Sequence, residues 1–581
     1  MALLAALLSF GAAATFQGVA HADGAVHADG VMHADEPARA DRPARADAPS
    51  LEAPPAAGPE VPPYEVSQEQ RAFLEALQRD TFRFFWDASA GGNGLTSDRF
   101  PGLDLSSVAA VGFALTAYPI GVERGWITRA QAAKRTLATL RFLWRAPQGP
   151  EPQGVTGYKG FFYHFLDART GLRAAGSELS TIDTALLMAG VLSSQAFFGG
   201  AGQSESTIRT LAERLYLRVD WAWASSHKHP DLLSMGWTPE HGFLDFDWQG
   251  YNEAMILYVL ALGSPTHPIA SHAWEAWTST YRWDASDGFP RVAFDPLFGH
   301  QYTHIWIDFR GIQDAYMRSR GIDYFVNSTR ATYANRAYCI ANPARWVGYG
   351  ETLWGLTASD GPLKAIHGTG PDLSGGPFHD YWARGAGPDR RDDGTIAVTA
   401  AGGSVPFAPE LAIPTLLQFR ARFGDQLYGK YGFKDAFNLS VGAGAPGKTG
   451  WFDDEYVAID EGPILLMIEN YRSGRVWSLM KANPYLRAGL VSAGFTGGWL
   501  DGAGTAPSGA ASTPTATPTA GSPATATATP TANPTPTPGQ APAAIPVTLP
   551  GTTKDPVPPA SLATLPTPER CAVEPAPSGV H

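Results

Sequence analysis

Cysteine is nearly absent: the 581 residues carry two, Cys339 and Cys571. Cys339 falls in "ATYANRAYCIANP", which reads as helix, and Cys571 in a polar tail, so no disulfide framework holds this chain together and cysteine usage leaves the compartment open. Basic residues are in deficit, 43 Lys and Arg against 55 Asp and Glu, for a formal net charge of −12. Phosphate backbones are gripped mainly through Lys and Arg, which argues against nucleic acid as the partner and leaves neutral sugars open. The apolar run near the start is shorter than the roughly 20 residues a membrane span needs, so no transmembrane span is expected. A G-x-S-x-G elbow and a CxxC pair are also missing. "GAGAPGKTG", Gly442 to Gly450, follows no evident strand, and Pro446 breaks the spacing of a phosphate loop. His300 and His304 have the i, i+4 spacing of metal ligands, but no HExxH glutamate lies between them and "GHQYTHIWIDF" reads as an extended cleft wall. The expectation is therefore no metal and no cofactor.

What is present divides the chain into four parts. The opening "MALLAALLSFGAAATFQGVAHADG" gives an apolar run and then Ala20-His21-Ala22, the small-x-small form of a signal-peptidase site, although no Lys or Arg precedes the run. Residues 1–22 thus read as a signal peptide, which predicts a secreted, periplasmic or cell-surface protein. Residues 23–63 repeat "HADG" and "PARAD" units too poor in large apolar side chains to fold. Residues 502–581 include "TPTATPTAGSPATATATPTANPTPTPG", a Pro/Thr/Ala tract that builds no core. Both read as disordered.

Between them, residues 64–501 are dense in apolar and aromatic side chains with no low-complexity break. This exceeds the ~250–300 residues of a usual single core, so two domains or one large closed architecture is required. Helical patterns recur throughout and are of two kinds. Some, such as Thr128 to Arg145 and Ser204 to Trp221, are amphipathic; others, such as "STIDTALLMAGVLSSQAFF" and "YNEAMILYVLALG", are apolar nearly all round. Alternating half-exposed and fully buried helices predict an all-α double ring, with the buried set inside and short hairpins such as "GFFYHFLDARTGLR" on the rim.

Three acids sit at the mouths of apolar helices: Asp183 before "TALLMAGVL", Glu253 before "AMILYVLAL" and Glu461 before "GPILLMI". Alternate helices of a double ring run parallel, so these acids converge on one mouth, with Glu178 close by in "SELSTID". Paired carboxylates are the minimal equipment of glycoside hydrolysis. Helix N-termini lower a carboxyl pKa and apolar surroundings raise it, so similar acids can hold different protonation states. Ser180 to Asp183 is also an S-x-x-D helix cap, so each acid taken singly has a structural reading as well. Aromatics cluster beside these mouths with polar neighbours, as a sugar's apolar faces and hydroxyl rims require. The candidate substrate-binding residues are Trp237, Tyr251, Asn252, His304, Trp306, Arg310, Trp354 and Trp451. Ordinary core packing is the competing reading for each ring.

"GYKGFFYHFLD", "SELSTIDTALLMAG", "GYNEAMILYVLALGSPTHP", "HIWIDFRGIQDAY", "VPFAPE" and "IDEGPILLMIENYRSG" together resemble the bacterial glycoamylase-like domain proteins, a group that includes the endo-β-1,2-glucanases of glycoside hydrolase family 144. The resemblance spans about Ser67 to Leu500. It implies an (α/α)6 toroid, a secreted or periplasmic location, metal-independent inverting chemistry and a β-linked glucan substrate, with β-1,2-glucan leading. It also implies that Glu253 matches the general acid and that the "SELSTID" acids match the other essential carboxylates. The family places an Asp and, three residues on, a Glu where this chain has Ser180 and Asp183.

The expected function is a glycoside hydrolase acting on β-linked glucan, with Glu253 as general acid, Asp183 positioning or activating water, and Glu178 and Glu461 as alternates. The missing carboxylate at Ser180 keeps open a catalytically silent cell-surface glycan-binding protein, and also a transglycosylase or exo-acting enzyme. A lyase would need Arg and Lys clusters for uronic acids, and the mouth segments are poor in both. A monomer binding a poly- or oligosaccharide is expected.

Overall fold

Helices in this chain alternate between two chemical types along the sequence, and that alternation is the architecture. The computed structural model describes residues 64–501 apart from 90–91, 103, 175, 227, 364–377, 387–390 and 443–449. The expected leader, spacer and tail, Cys571 and most of "GAGAPGKTG" lie outside the described residues. Twelve helices alternate outer and inner: α1 (Gln68–Asp87), α2 (Val108–Glu123), α3 (Arg129–Arg145), α4 (Thr181–Phe197), α5 (Gln203–Arg218), α6 (Met255–Leu262), α7 (Ala273–Ser279) and α8 (Tyr302–Trp306). After the short α9 (Ala315–Arg320) come α10 (Tyr324–Ala341), α11 (Val398–Gly402), α12 (Pro409–Phe423) and α13 (Ala458–Ser473). The even-numbered helices α2 to α8, with α11 and α13, form the inner ring of an (α/α)6 toroid. Helices α14 (Arg475–Lys481) and α15 (Pro484–Ser492) follow α13, and α15 packs on α6.

Burial separates the two rings. Every residue of α2 from Val108 to Gly121 is buried, and so is all of α6. Outer helices bury one stripe: α3 buries Ala132, Ala133, Thr136, Leu137, Thr139, Leu140 and Leu143, and starts with a capping box of Thr128 and Gln131. Inner helices α2 and α4 meet backbone to backbone. A Cβ on Gly112 would lie 2.4 Å from the Leu186 carbonyl oxygen, and one on Gly190 would lie 2.1 Å from that of Gly112. Only glycine allows that approach. Among the described residues no helix is long and apolar enough to cross a membrane.

The strands sit where inner helices begin. Leu105–Ser107 leads into α2, Leu179–Ser180 into α4, Ile396–Ala397 into α11 and Tyr456–Val457 into α13. This puts the inner N-termini on one strand-decorated rim. Leu179–Ser180 lies third in a five-stranded antiparallel sheet, between Phe161–Tyr163 and Gly236–Thr238. One local expectation holds and one changes. The extended runs of "GFFYHFLDARTGLR" turn back on each other at the Leu166–Arg173 bridge, where the Asp167 N–H donates to the Leu172 carbonyl and the Ala174 N–H to that of Phe165, and they also pair with other segments, Phe165–Asp167 with Leu105–Ser107. "GHQYTHIWIDF" is not extended: it forms a 3-10 turn, Leu297–His300, and then the buried inner helix α8, because most of its apolar side chains close the ring and only Tyr302 of this segment reaches the cleft.

Candidate active site

The N-terminal rim of the inner ring encloses one cleft. Ser107 before α2, Asp183 in the first turn of α4, Glu253 two residues before α6, Tyr302 at the start of α8 and Ile459 in α13 all line it. Asn252 shapes the turn that presents Glu253: its Oδ1 accepts from the Ala254 N–H at 3.0 Å and its Nδ2 donates to the Gln249 carbonyl at 3.0 Å. The side chain thereby fixes the turn while also facing the cleft.

Ser180 is the N-cap of α4, and its Oγ accepts from the Asp183 N–H at 3.2 Å. The same hydroxyl donates to Asp183 Oδ2 at 2.5 Å. A full capping box would send the acid back to the N-cap backbone N–H; here the acid takes the hydroxyl and turns its other oxygen to the cleft. The cap reading and the site reading are both satisfied by one residue pair.

His164 lies between the two acids of the same segment. Its Nδ1 stands 2.8 Å from Glu178 Oε1 and its Nε2 3.6 Å from Asp183 Oδ1. Burial alone would lower the histidine pKa, but the charges of Asp183 and Glu178 outweigh it and hold the imidazolium up to about 9. Both ring nitrogens then carry protons: Nδ1 donates to Glu178, and Nε2 faces Asp183 as an ion pair. Burial raises the Asp183 carboxyl, and the pull of His164 and Ser180 only partly offsets it. The cation is thus fixed by its two partners, while Asp183 stays easily protonated for a carboxyl. Burial also pushes Glu253 up to about 7, with the charge of Asp183 adding to the shift and a hydrogen bond from its own backbone N–H opposing it. A carboxyl half protonated near neutrality, with a second, hydrogen-bonded acid close enough to shift it, meets the protonation requirement of acid–base chemistry.

The walls are aromatic. Phe294, Phe298 and Tyr302 form a chain of rings with centroids 5.3 and 5.4 Å apart, and Trp248, Tyr381 and Trp382 face the same space. Trp248 is oriented by its Nε1, which donates to Thr181 Oγ1 at 2.9 Å. The segment carrying Tyr381 and Trp382 is pinned by a fully buried ion pair, Arg384 to Asp393, at 2.7 and 2.9 Å. Arg99 and Arg391 supply cations at the cleft.

Of the residues singled out from sequence, Glu253, Asp183, Glu178 and Asn252 line this cleft. The others do not. Glu461 is 2% exposed and faces Thr81 of α1, between the rings rather than inside them. Trp306 stacks on Phe113 and donates to Thr116, and Trp354 donates to Thr415; both are fully buried core. Tyr251 packs among Tyr281, His300 and Tyr324. His304 sits behind the cleft with its Nε2 on Ser328 Oγ, and burial holds both His304 and His300 down to about 3, so both are neutral core residues. Arg310 follows the C-terminal end of α8, paired with Asp308 over the Trp477 ring, at the opposite mouth. Trp237 packs on Tyr158 and Trp223, and Trp451 lies in a strand beside Ala436–Asn438. The physical reason differs by place: Tyr251, Trp306 and Trp354 fill buried space in the core, while Trp237 and Trp451 pack half-buried in the rim strands. Sequence reading missed His164, Trp248, Tyr302, Phe298, Tyr381 and Trp382. The "YHF" of the strand next to "SELSTID" was the available signal for His164.

Comparison with known proteins agrees with this fold. The family profile described as Glycoamylase matches residues 245–484. An exo-β-1,2-glucooligosaccharide sophorohydrolase of Parabacteroides distasonis is 30% identical over 461 residues, covering 74% of this chain, which spans 58% of that relative's length. Among solved structures, a glucoamylase-like protein of Bacteroides uniformis is 32% identical with a TM-score of 0.65, covering 75% of this chain and 100% of its own. An endo-β-1,2-glucanase of Chitinophaga pinensis, solved with sophorotriose and glucose, is 27% identical with a TM-score of 0.65 over 75% of this chain and 100% of its own. With a solved relative above 30% identity covered from end to end, the chain belongs to the glycoamylase-like family, of the glycoside hydrolase family 144 type.

Proposed function

We propose that this chain is a glycoside hydrolase that cleaves β-linked glucan, with β-1,2-linked glucan as its substrate. The observation that carries the reading is the pairing of Glu253, held up to about 7, with the hydrogen-bonded Asp183 on one aromatic-walled cleft. The substrate class follows the relatives, whose names specify β-1,2-glucan and its oligosaccharides.

Glu253 in its protonated form donates to the glycosidic oxygen as the bond from that oxygen to the anomeric carbon breaks. Asp183 in its ionised form positions or deprotonates the water that adds to the anomeric carbon. Ser180 and His164 hold the Asp183 carboxylate in place by hydrogen bond and charge. The aromatic walls carry the pyranose faces.

Product analysis on β-1,2-glucan beside laminarin and starch tests the reading. New reducing ends from β-1,2-glucan alone support it. Binding of the glucan without new ends would instead assign a glycan-binding module, and cleavage of starch alone would move the substrate class.

A further inference from the structure

Behind the cleft wall three segments bring carboxylates together. Asp360 follows the strand Ala358–Ser359, Asp435 precedes Ala436–Asn438, and Asp453 follows Trp451–Phe452. One oxygen from each lies within 4.8 Å of the other two. All three residues are more than nine-tenths buried. The guanidinium of Arg99 is divided among Asp360 Oδ2 at 2.8 Å, Asp98 at 3.1 Å and Glu455. Asp435 Oδ2 accepts the Asp360 N–H at 2.7 Å, and Asp453 Oδ1 accepts the Glu455 N–H at 3.2 Å. Asp435 Oδ1 and Asp453 Oδ2 have no hydrogen-bond partner among the described residues. Asp460, in the first turn of α13 and 2% exposed, lies against Asp435, with which it can share a proton, and no N–H or hydroxyl among the described residues donates to its oxygens.

Of these four buried carboxyls only Asp360 meets a guanidinium, and it shares Arg99 with Asp98 and Glu455, so charge on the others is relieved only by protons or a cation. Hard oxygen donors select a hard divalent ion. Calcium takes its ligands at roughly 2.3–2.6 Å, so ligands across the ion stand about 5 Å apart, whereas magnesium at ~2.0–2.1 Å needs a tighter octahedron.

We propose that Asp360, Asp435 and Asp453, with Asp460 alongside, form a calcium-class cation site that ties these three segments to the wall of the cleft. None of the four lines the cleft, so the ion braces the rim and Arg99 rather than touching the sugar. Carboxylate ligands must lose their protons to bind the ion, so affinity rises with pH.

The test uses the full chain, stripped with EDTA and dialysed into metal-free buffer at pH 8. Calcium or magnesium is then titrated while bound metal is counted by mass spectrometry and Tm is followed. The expected result is about one calcium per chain, a rise of several degrees in Tm, and a smaller response to magnesium. Asp435→Asn and Asp453→Asn should each abolish the calcium-dependent rise. A wild-type chain that binds no calcium and keeps its Tm would overturn the proposal and leave shared protons as the device. So would calcium binding that survives in the Asp435→Asn/Asp453→Asn double variant. If the variants fail to fold, the wild-type stoichiometry still decides.

Discussion

Glu253 and His164 occupy one cleft, and burial pushes their pKa values in opposite directions: it raises the acid and would lower the base, until two carboxylates reverse the histidine. Two predictions belong at this scale. Glu253→Gln keeps the shape and removes the proton, so kcat on β-1,2-glucan should fall roughly 10²–10⁴-fold with Tm nearly unchanged. In the wild type, kcat should fall on the alkaline side as Glu253 ionises around pH 7; a flat rate from pH 6 to 9 would remove it as the acid. His164 concerns stability. Its folded pKa, about 9, lies above its ordinary 6.5, so its contribution is fully present below pH 6.5 and lost as pH rises through 9. The upper bound is about 3 kcal/mol at ~1.4 kcal/mol per pKa unit. Tm should decline between pH 6.5 and 9, and His164→Gln should start lower and flatten that decline. A variant whose Tm keeps the wild-type slope would show that the imidazolium is not its source.

Between elements, α2 and α4 meet backbone to backbone at Gly112 and Gly190. Gly112→Ala forces a methyl against the backbone of Leu186 and Leu187 and should cost ~2–3 kcal/mol of overpacking. Gly199→Ala, with nothing within 4 Å of its Cβ, should stay within ~0.5 kcal/mol. Denaturant midpoints at constant slope would compare the two. This layer of structure was the most legible from sequence. The all-round apolar runs of α4 and α6 marked the inner ring, and the striped α3 and α5 the outer one, because a helix's burial pattern is written in its own residues. The acids at helix mouths followed from the parallel direction of the inner ring. Legibility ended where partners come from distant segments. Nothing in the run around His164 states that Glu178 and Asp183 flank it. Trp306 and Trp354 carry the same local signal as Trp248 and Trp382, and only the packed ring separates core from cleft. Glu461 and Asp460 are adjacent on one helix turn, yet face different layers.

At the scale of the molecule, a toroid must join its first helices to its last, and here the join is electrostatic as well as apolar. Glu469, near the C-terminal end of α13, receives Arg124 from the end of α2 at 2.9 and 3.0 Å, Gln78 of α1 at 2.6 Å and Ser473 at 2.5 Å. Its side chain is 2% exposed, so the carboxylate is a buried charge whose cost is met only by these donors. On the other rim, Arg99–Phe100 pairs with Tyr456–Val457 and closes the same seam. Glu469→Ala would strand Arg124 and Gln78 at once, and losing one partner of a buried pair costs ~3–5 kcal/mol. Tm should therefore drop by several degrees. The seam contact lies at the end of the inner helices away from Glu253 and Asp183, so kcat measured well below the transition should stay within about two-fold of wild type. A closed ring also sets the form of the melt. If every helix pair leans on both neighbours, tryptophan fluorescence and far-UV circular dichroism should trace one shared transition in the variant as in the wild type. Separate transitions in Glu469→Ala would mean that the seam, and not the packing around the ring, holds the two ends in a single cooperative unit.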